Sequence, residues 1–300
     1  MLAVEPRATS CAWCRSPLDD SAVRLRGRTR CASCGAATTE PWPSEAVLDA
    51  AYGTWYRPDS GRFSLVGDAL LRRTRALLAR RLDRAAPPGP VLDVGAGDGT
   101  LINALHRRGR EAVGLERDSC RPEMRDVPLD QIEGRWAAVV FWHSLEHLPE
   151  PRQAVREAAR LLRRGGLLAI AVPNTDSLQA RALGDRWLHL DPPLHLVHLS
   201  ERALIARLEE CGFRVERVSH LRGGQIVIGW LDGLVASLPG HPRLYQALRQ
   251  PAARSASMDA RRRAGTLVAG VGLFPFALVA AAVEVVLKRS GTVYVEARRA

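Results

Sequence analysis

The chain has 300 residues, 46% hydrophobic and 25% charged, with a formal net charge of +11 at pH 7. That length allows one large domain or two smaller ones with a substantial core, and the ordinary apolar-to-charged balance excludes a disordered or fibrous chain. A charge of this size suits nucleic acid, acidic lipid or a phosphorylated substrate. Nearly all of it is arginine, however, Lys288 being the only lysine, and it accompanies abundant alanine as GC-rich coding produces; charge alone therefore gives nucleic acid little weight.

The opening residues, MLAVEPRATS, lack the basic start and apolar run of a signal peptide, so a cytoplasmic protein is expected. Cys11-x2-Cys14, sixteen intervening residues and Cys31-x2-Cys34 have the spacing of two knuckles closing one tetrahedral site. Structural Zn2+ is the expectation over a redox dithiol, which needs no second copy. Between the knuckles, Val23 to Thr29 alternates and turns like a hairpin, and Gly35 sits where the second knuckle needs a tight turn. Such modules often bind nucleic acid, but four thiolates and a metal also replace a core too small to stand alone, which is the preferred reading.

Pro41, Trp42 and Pro43 mark a linker. Tyr52 and Tyr56 follow, placed either to close over a bound cofactor or to pack a helix. A basic helix is expected from about Phe63 to Leu82, with Arg72, Arg73, Arg75, Arg80, Arg81 and Arg84 as a solvated face, ended by Ala85-Ala86-Pro87-Pro88-Gly89.

The stretch Pro90 to Glu116 organises the rest. Val91 to Val94 is a short apolar strand, Gly95-Ala96-Gly97-Asp98-Gly99 a tight turn, Thr100 to Arg108 a helix, and Glu111 to Leu115 a second strand ending on the acid Glu116. Glycines let a ligand approach the main chain, and an acid seventeen residues beyond Gly99 is placed to accept from both ribose hydroxyls. With Asp93 ahead of it, the turn reads D-x-G-x-G-x-G. That pattern resembles motif I of the class I S-adenosylmethionine (SAM)-dependent methyltransferases. The resemblance implies that Asp93, Gly95, Ala96, Gly97, Gly99 and Glu116 hold SAM.

Beyond Glu116 the pattern is short of residues for a helix, a strand and an adenine loop, and Leu129-Asp130 is the best candidate for the adenine contact. Ala137 to Trp142 is a buried strand running into His143-Ser144-Leu145-Glu146-His147. Ligands bind beyond the carboxyl ends of such strands, so His143, Glu146 and His147 are candidates for acceptor chemistry; an imidazole can take a hydroxyl proton at neutral pH. The alternative is that Glu146 and His147 brace the following helix, Gln153 to Leu162. A Gly165-Gly166 turn and a strand Leu167 to Val172 come next. Trp187, His189, Asp191, His195 and His198 then crowd a Pro-containing loop, which makes His195 a second candidate base. Ser200 N-caps a helix ending near Cys211-Gly212, and Phe213 to Ser219 is a further strand.

From Cys11 to about Ser219, with WHSLEHLPEP, LLRRGG and VPNTDSLQARALGDRWLHLDPPLHLVHLS, the chain resembles a bacterial branch of class I methyltransferases that carry an N-terminal zinc ribbon and are related to the ubiquinone-biosynthesis O-methyltransferases. This implies an α/β, doubly wound seven-stranded sheet, SAM as methyl donor and a small-molecule acceptor. His143 stands where the quinone enzymes carry Glu, and Leu194 where this branch has Arg.

Ala264 to Val283 is twenty residues without a charge, flanked by Arg261-Arg262-Arg263 and by Lys288-Arg289. Its length matches a bilayer, yet Pro275 interrupts it. Thr292 to Ala297 moreover resembles the last strand of the methyltransferase sheet, whose partner precedes the run, so a single crossing would separate paired strands. A helical cap over the site is expected, or else a membrane-docked pair of helices between Gln225 and Leu287; either implies an apolar acceptor. The expected organisation is residues 1–42 zinc ribbon, 43–89 linker and helices, 90–224 SAM-binding core, 225–289 apolar insertion and 290–300 last strand. O-methylation is the favoured chemistry. A SAM-binding regulatory or RNA-associated module, and a C- or N-methyltransferase, are the alternatives.

Overall fold

The computed structural model describes residues 8–53, 63, 65–119, 121–221, 224–254 and 257–300. Tyr56, singled out in the sequence, lies outside them.

The first three strands, β1 (Val23–Leu25), β2 (Arg28–Arg30) and β3 (Ala37–Thr39), form an antiparallel meander around the cysteine knuckles. Gly27 in the β1–β2 turn and Gly35 after the second knuckle take φ of +70° and +76°, which side-chain-bearing residues rarely adopt. The meander is not detached. β3 pairs with β9 (Val197–His198) far along the chain, and Cys11, Trp13 and Cys31 belong to the same buried cluster as Leu92, Phe141 and Leu168 of the central sheet.

Helices α1 (Glu45–Ala51) and α2 (Leu65–Ala85) lead into a seven-stranded sheet. Its strands are β4 (Val91–Val94), β5 (Ala112–Leu115), β6 (Met124–Arg125), β7 (Trp136–Trp142), β8 (Leu162–Pro173), β10 (Phe213–Ser219) and β11 (Thr292–Arg299). The order is β10-β11-β8-β7-β4-β5-β6, with β11 antiparallel to both its neighbours. Strand order reverses between β4 and β7, so the loops after these two strands open onto a common crevice, where ligands bind in doubly wound sheets. β7, and β4 apart from Asp93, are buried apolar runs because helices cover both faces.

Helix α3 (Thr100–His106) follows β4, and α4 (Pro151–Leu161) follows β7. α4 starts two residues earlier than its apolar periodicity indicates because Pro151 presets the helical φ at its first position. β6 is only two residues long, which accounts for the shortage of residues before Trp136. The expected Gly165-Gly166 turn is a bulge inside β8, where the pairing jumps from Trp136↔Leu162 to Ala138↔Leu167.

Arg72, Arg73, Arg80, Arg81 and Arg84 of α2 are exposed, as the solvated-face reading expects, and half-buried Arg75 is the exception. Leu78, Ala79 and Leu82 bury one stripe of the helix, and Arg75 and Arg81 flank that stripe. Arg81 pairs with the buried Glu296 of β11, and the Arg75 guanidinium lies 4.9 Å from the centroid of the Trp142 ring.

After α5 (Leu178–Leu183), the loop 184–196 leads to β9 and α6 (Glu201–Glu210), N-capped by Ser200. Between β10 and β11 the chain forms three helices rather than a pair: α7 (Gly224–Val235), α8 (Leu244–Leu248) and α9 (Ala260–Val286). α9 runs unbroken through Pro275. These helices bury Ile226, Trp230, Leu231, Leu244 and Ala277 against Leu183, Trp187 and Leu190, so they roof the loop 184–196.

Candidate active site

The glycine loop joins the carboxyl end of β4 to α3. Gly95, Gly97 and Gly99 take φ of +78°, +61° and +70°. A Cβ on Gly95 would collide with the Cβ of Ser144, whose hydroxyl donates to the carbonyl of Val94. Ala96, between the glycines, packs into the cluster of α2, α3 and β5. Glu116, at the end of β5, accepts from the backbone N–H of Gly97 and of Arg117, the latter at 3.1 Å. Its carboxylate thus stands over the loop at the mouth of the crevice.

Asp93 is 2% exposed, and among the described residues its Oδ1 has no hydrogen-bond partner. Burial pushes its carboxyl up to about 7; Glu116 and Asp98 push the same way, and only the nearby Arg75 opposes them. A buried, unsatisfied acid beneath a glycine cradle calls for a cationic ligand group, and the ammonium and sulfonium of SAM supply one. These residues fit the cofactor. Asp130 contributes differently: it lies on a short 3₁₀ turn with an exposed side chain, and its carbonyl accepts from Arg160 of α4 at 3.3 Å. Arg75 went unrecognised because arginines crowd α2; its place three, four and seven residues from Leu78, Ala79 and Leu82 was the available signal.

Beyond β7 a second cluster forms. His143 takes φ +53°, which swings the chain into a 3₁₀ turn, Leu145–His147. His143 Nδ1 lies 3.3 Å from Glu146 Oε1, and its ring stacks on that of His189 at 6.3 Å between centroids. Glu146 is 1% exposed, its Oε2 has no hydrogen-bond partner among the described residues, and burial raises its carboxyl to about 7. His147 Nδ1 is 3.0 Å from the Leu194 carbonyl and 3.0 Å from the Tyr52 hydroxyl. His195 Nδ1 is 2.8 Å from the His189 carbonyl. Carbonyls only accept, so in both rings Nδ1 carries the proton and Nε2 the lone pair. The rings of His147 and His195 meet edge to face at 4.6 Å.

Glu146, His147 and His195 bring one ligand atom each to within 4.8 Å of one another. The three can share a proton or hold a cation. Neither Glu146 nor His147 caps α4, whose N-cap is Glu150; instead the Glu146 carbonyl accepts from Leu196 N–H at 2.8 Å and ties the turn to the loop 184–196. The bracing anticipated for these residues is directed at that loop.

The four knuckle cysteines also converge. Cys11 and Cys34 Sγ are 3.7 Å apart and Cys14 and Cys31 Sγ 3.6 Å, all four within 4.8 Å. A tetrahedron with metal–sulfur bonds of about 2.3 Å has edges of roughly 3.8 Å, so the set fits Zn2+.

The fold, the glycine loop and its acids are those of a methyltransferase domain suited to SAM. Residues 69–218, half of the chain, match the family profile described as a methyltransferase domain, and the chain belongs to that family. The ubiquinone biosynthesis O-methyltransferase of Alkalilimnicola ehrlichii is 29% identical over 102 residues, covering 28% of this chain and 41% of that protein. A protein of Mycolicibacterium smegmatis named as a probable S-adenosylmethionine-dependent methyltransferase is 25% identical over 197 residues, covering 57% of this chain and 75% of its own. The chain spans less than half the length of the first curated relatives it matches. Among solved structures, the [4+2]-cyclase SpnF aligns with a TM-score of 0.47 at 20% identity, covering 76% of this chain and 80% of its own.

Proposed function

We propose that this methyltransferase methylates a hydroxyl oxygen of an apolar small molecule. The observation that carries the reading is the pair His147 and His195, whose unprotonated Nε2 atoms follow from carbonyls fixing Nδ1, beside the crevice and under an apolar roof. SAM, when bound, supplies a methyl group made electrophilic by its sulfonium charge. Asp93 meets its cationic end, the glycine loop approaches it closely, and Glu116 accepts from its ribose hydroxyls. His147 or His195 takes the acceptor's hydroxyl proton, with Glu146 stabilising the imidazolium that results. Leu183, Trp187 and Leu190 with the α7–α9 roof exclude water and favour an apolar acceptor. Cys11, Cys14, Cys31 and Cys34 hold a structural Zn2+, and their reduced state suits a cytoplasmic setting.

Transfer of radiolabelled methyl from SAM to a cell extract, partitioned between organic and aqueous phases, tests this. Label in the organic phase, lost on mild acetylation of the extract's hydroxyls, is expected. Label confined to polar products would overturn the apolar acceptor, and label insensitive to acetylation would overturn O-methylation.

A further inference from the structure

Helix α9 is long and apolar enough to cross a membrane, yet only 22% of its most apolar stretch is buried in the fold. A core helix of a soluble domain is buried, so this one has an unusual outer face. Its inner stripe is Thr266, Gly270, Ala277, Ala281 and Glu284, all buried. Arg263 is tied to the Ala247 carbonyl at 3.0 Å, and Glu284 to Gln179 through its backbone N–H at 2.8 Å and its side-chain amide at 2.9 Å. The helix is therefore fastened to the body near both ends.

The outer stripe lies roughly 180° around the helix at 3.6 residues per turn. Val268, Val271, Phe276, Val279 and Val286 are 72%, 76%, 67%, 66% and 78% exposed. Phe274, Leu278 and Val283 widen the stripe, and Leu287 extends it. Glu284, the helix's one acid, is turned inward and fully buried. Exposed Arg261 and Arg262 stand at one end of the helix, Arg262 being 3.5 Å from Asp259, and exposed Lys288 and Arg289 lie just past the other end, beside Asp176 and Glu201.

Three occupants suit an exposed apolar helix face: a bilayer crossed, a second copy, or a bilayer surface. Crossing fails because β10 and β11, on either side of the insertion, pair from Ser219↔Tyr294 to Phe213↔Arg299. A second copy packed along α9 meets a charge obstacle. Antiparallel packing sets the arginine end of one copy against Lys288 and Arg289 of the other, and parallel packing sets like end on like end. An anionic leaflet neutralises both ends at once while taking up the apolar stripe.

We propose that α9 docks this enzyme flat on an anionic membrane surface, with its outer stripe among the acyl chains and Arg261, Arg262, Lys288 and Arg289 at the headgroups. The docking stands independently of the acceptor's identity. It sets the roof over Trp187 and Leu190 close to the lipid phase.

Flotation of the full chain with phosphatidylglycerol–phosphatidylcholine vesicles, against phosphatidylcholine alone, tests the proposal. Binding to the anionic vesicles is expected, weakening with salt and by about fivefold for each of Arg261 and Arg262 changed to Gln. Val271→Glu with Val279→Glu should abolish it with melting temperature and SAM affinity unchanged, since both side chains face outward. Absence of flotation by the intact chain would overturn the proposal, as would flotation that survives the paired substitution. A dimer in light scattering that the same substitution dissociates would assign the face to a second copy instead.

Discussion

In the proposed function, Asp93 is the residue on which cofactor affinity turns. A cationic ligand favours its ionised form, so binding expels the proton that burial retains up to about pH 7. SAM affinity should therefore fall about tenfold per pH unit below 7, and calorimetry in buffers of different ionisation heat should register proton release. Asp93→Ala should weaken SAM by about 10-fold to 100-fold, as expected for losing a charge-assisted contact, with zinc content unchanged. Retained affinity would break the assignment. The sign for stability is opposite to that of an ion-paired acid. The folded chain without cofactor binds this proton more tightly than the unfolded chain, so Asp93 destabilises it progressively as pH rises from about 4 to 7, and bound SAM relieves the loss.

At the scale of elements, the cysteine meander does more than hold itself together. Thr39, at the end of β3, donates to the His195 carbonyl at 2.6 Å and stands 3.0 Å from His198 Nε2. His198 is held neutral because burial lowers its imidazole to about 3. Thr39 is accordingly a positioning residue for His195. Thr39→Val keeps its shape but orphans that carbonyl and ring nitrogen. The methyl-transfer rate should drop by roughly 10-fold or more, since small misplacements of a base are costly, while SAM affinity holds. Thr39→Ser, which restores the hydroxyl, should recover the rate; equal rates in the valine variant and the parent would remove Thr39 from the site.

For the molecule as a whole, the meander and the sheet share one buried cluster, stapled by Trp13 Nε1–H donating to the Ala203 carbonyl of α6 at 3.0 Å. The proposed metal at the cysteines would therefore stabilise the central sheet as well as the ribbon. Cys31→Ser, or a strong chelator, should destabilise the entire cooperative transition by at least several kcal/mol, the free energy lost with structural zinc, and so lower its melting temperature. Calorimetry separates the cases: an early small transition with the main one unmoved would show that the ribbon melts alone.

The sequence by itself determined whatever rests on local chemistry. Glycines at left-handed positions, an acid before them and another after the next strand specify the cofactor loop, and paired cysteine knuckles specify a tetrahedral thiolate set, because each depends on residues close in the chain. Six of the seven sheet strands were legible from apolar runs between turns, whereas the two-residue β6 was not, and the count of seven came from the family resemblance. Tertiary structure decided what depends on distant segments meeting. Arg75 is indistinguishable from its neighbours until α2 packs near Trp142. The role of Thr39 exists only where β3 pairs with β9, and the tautomers of His147 and His195 are fixed by carbonyls of a loop that periodicity does not describe. The uncharged run of α9 reads in sequence as a cap, a span or a docking helix. Only the pairing of β10 with β11, and the inward turn of Glu284, separate a fastened inner stripe from an apolar face left to meet something else.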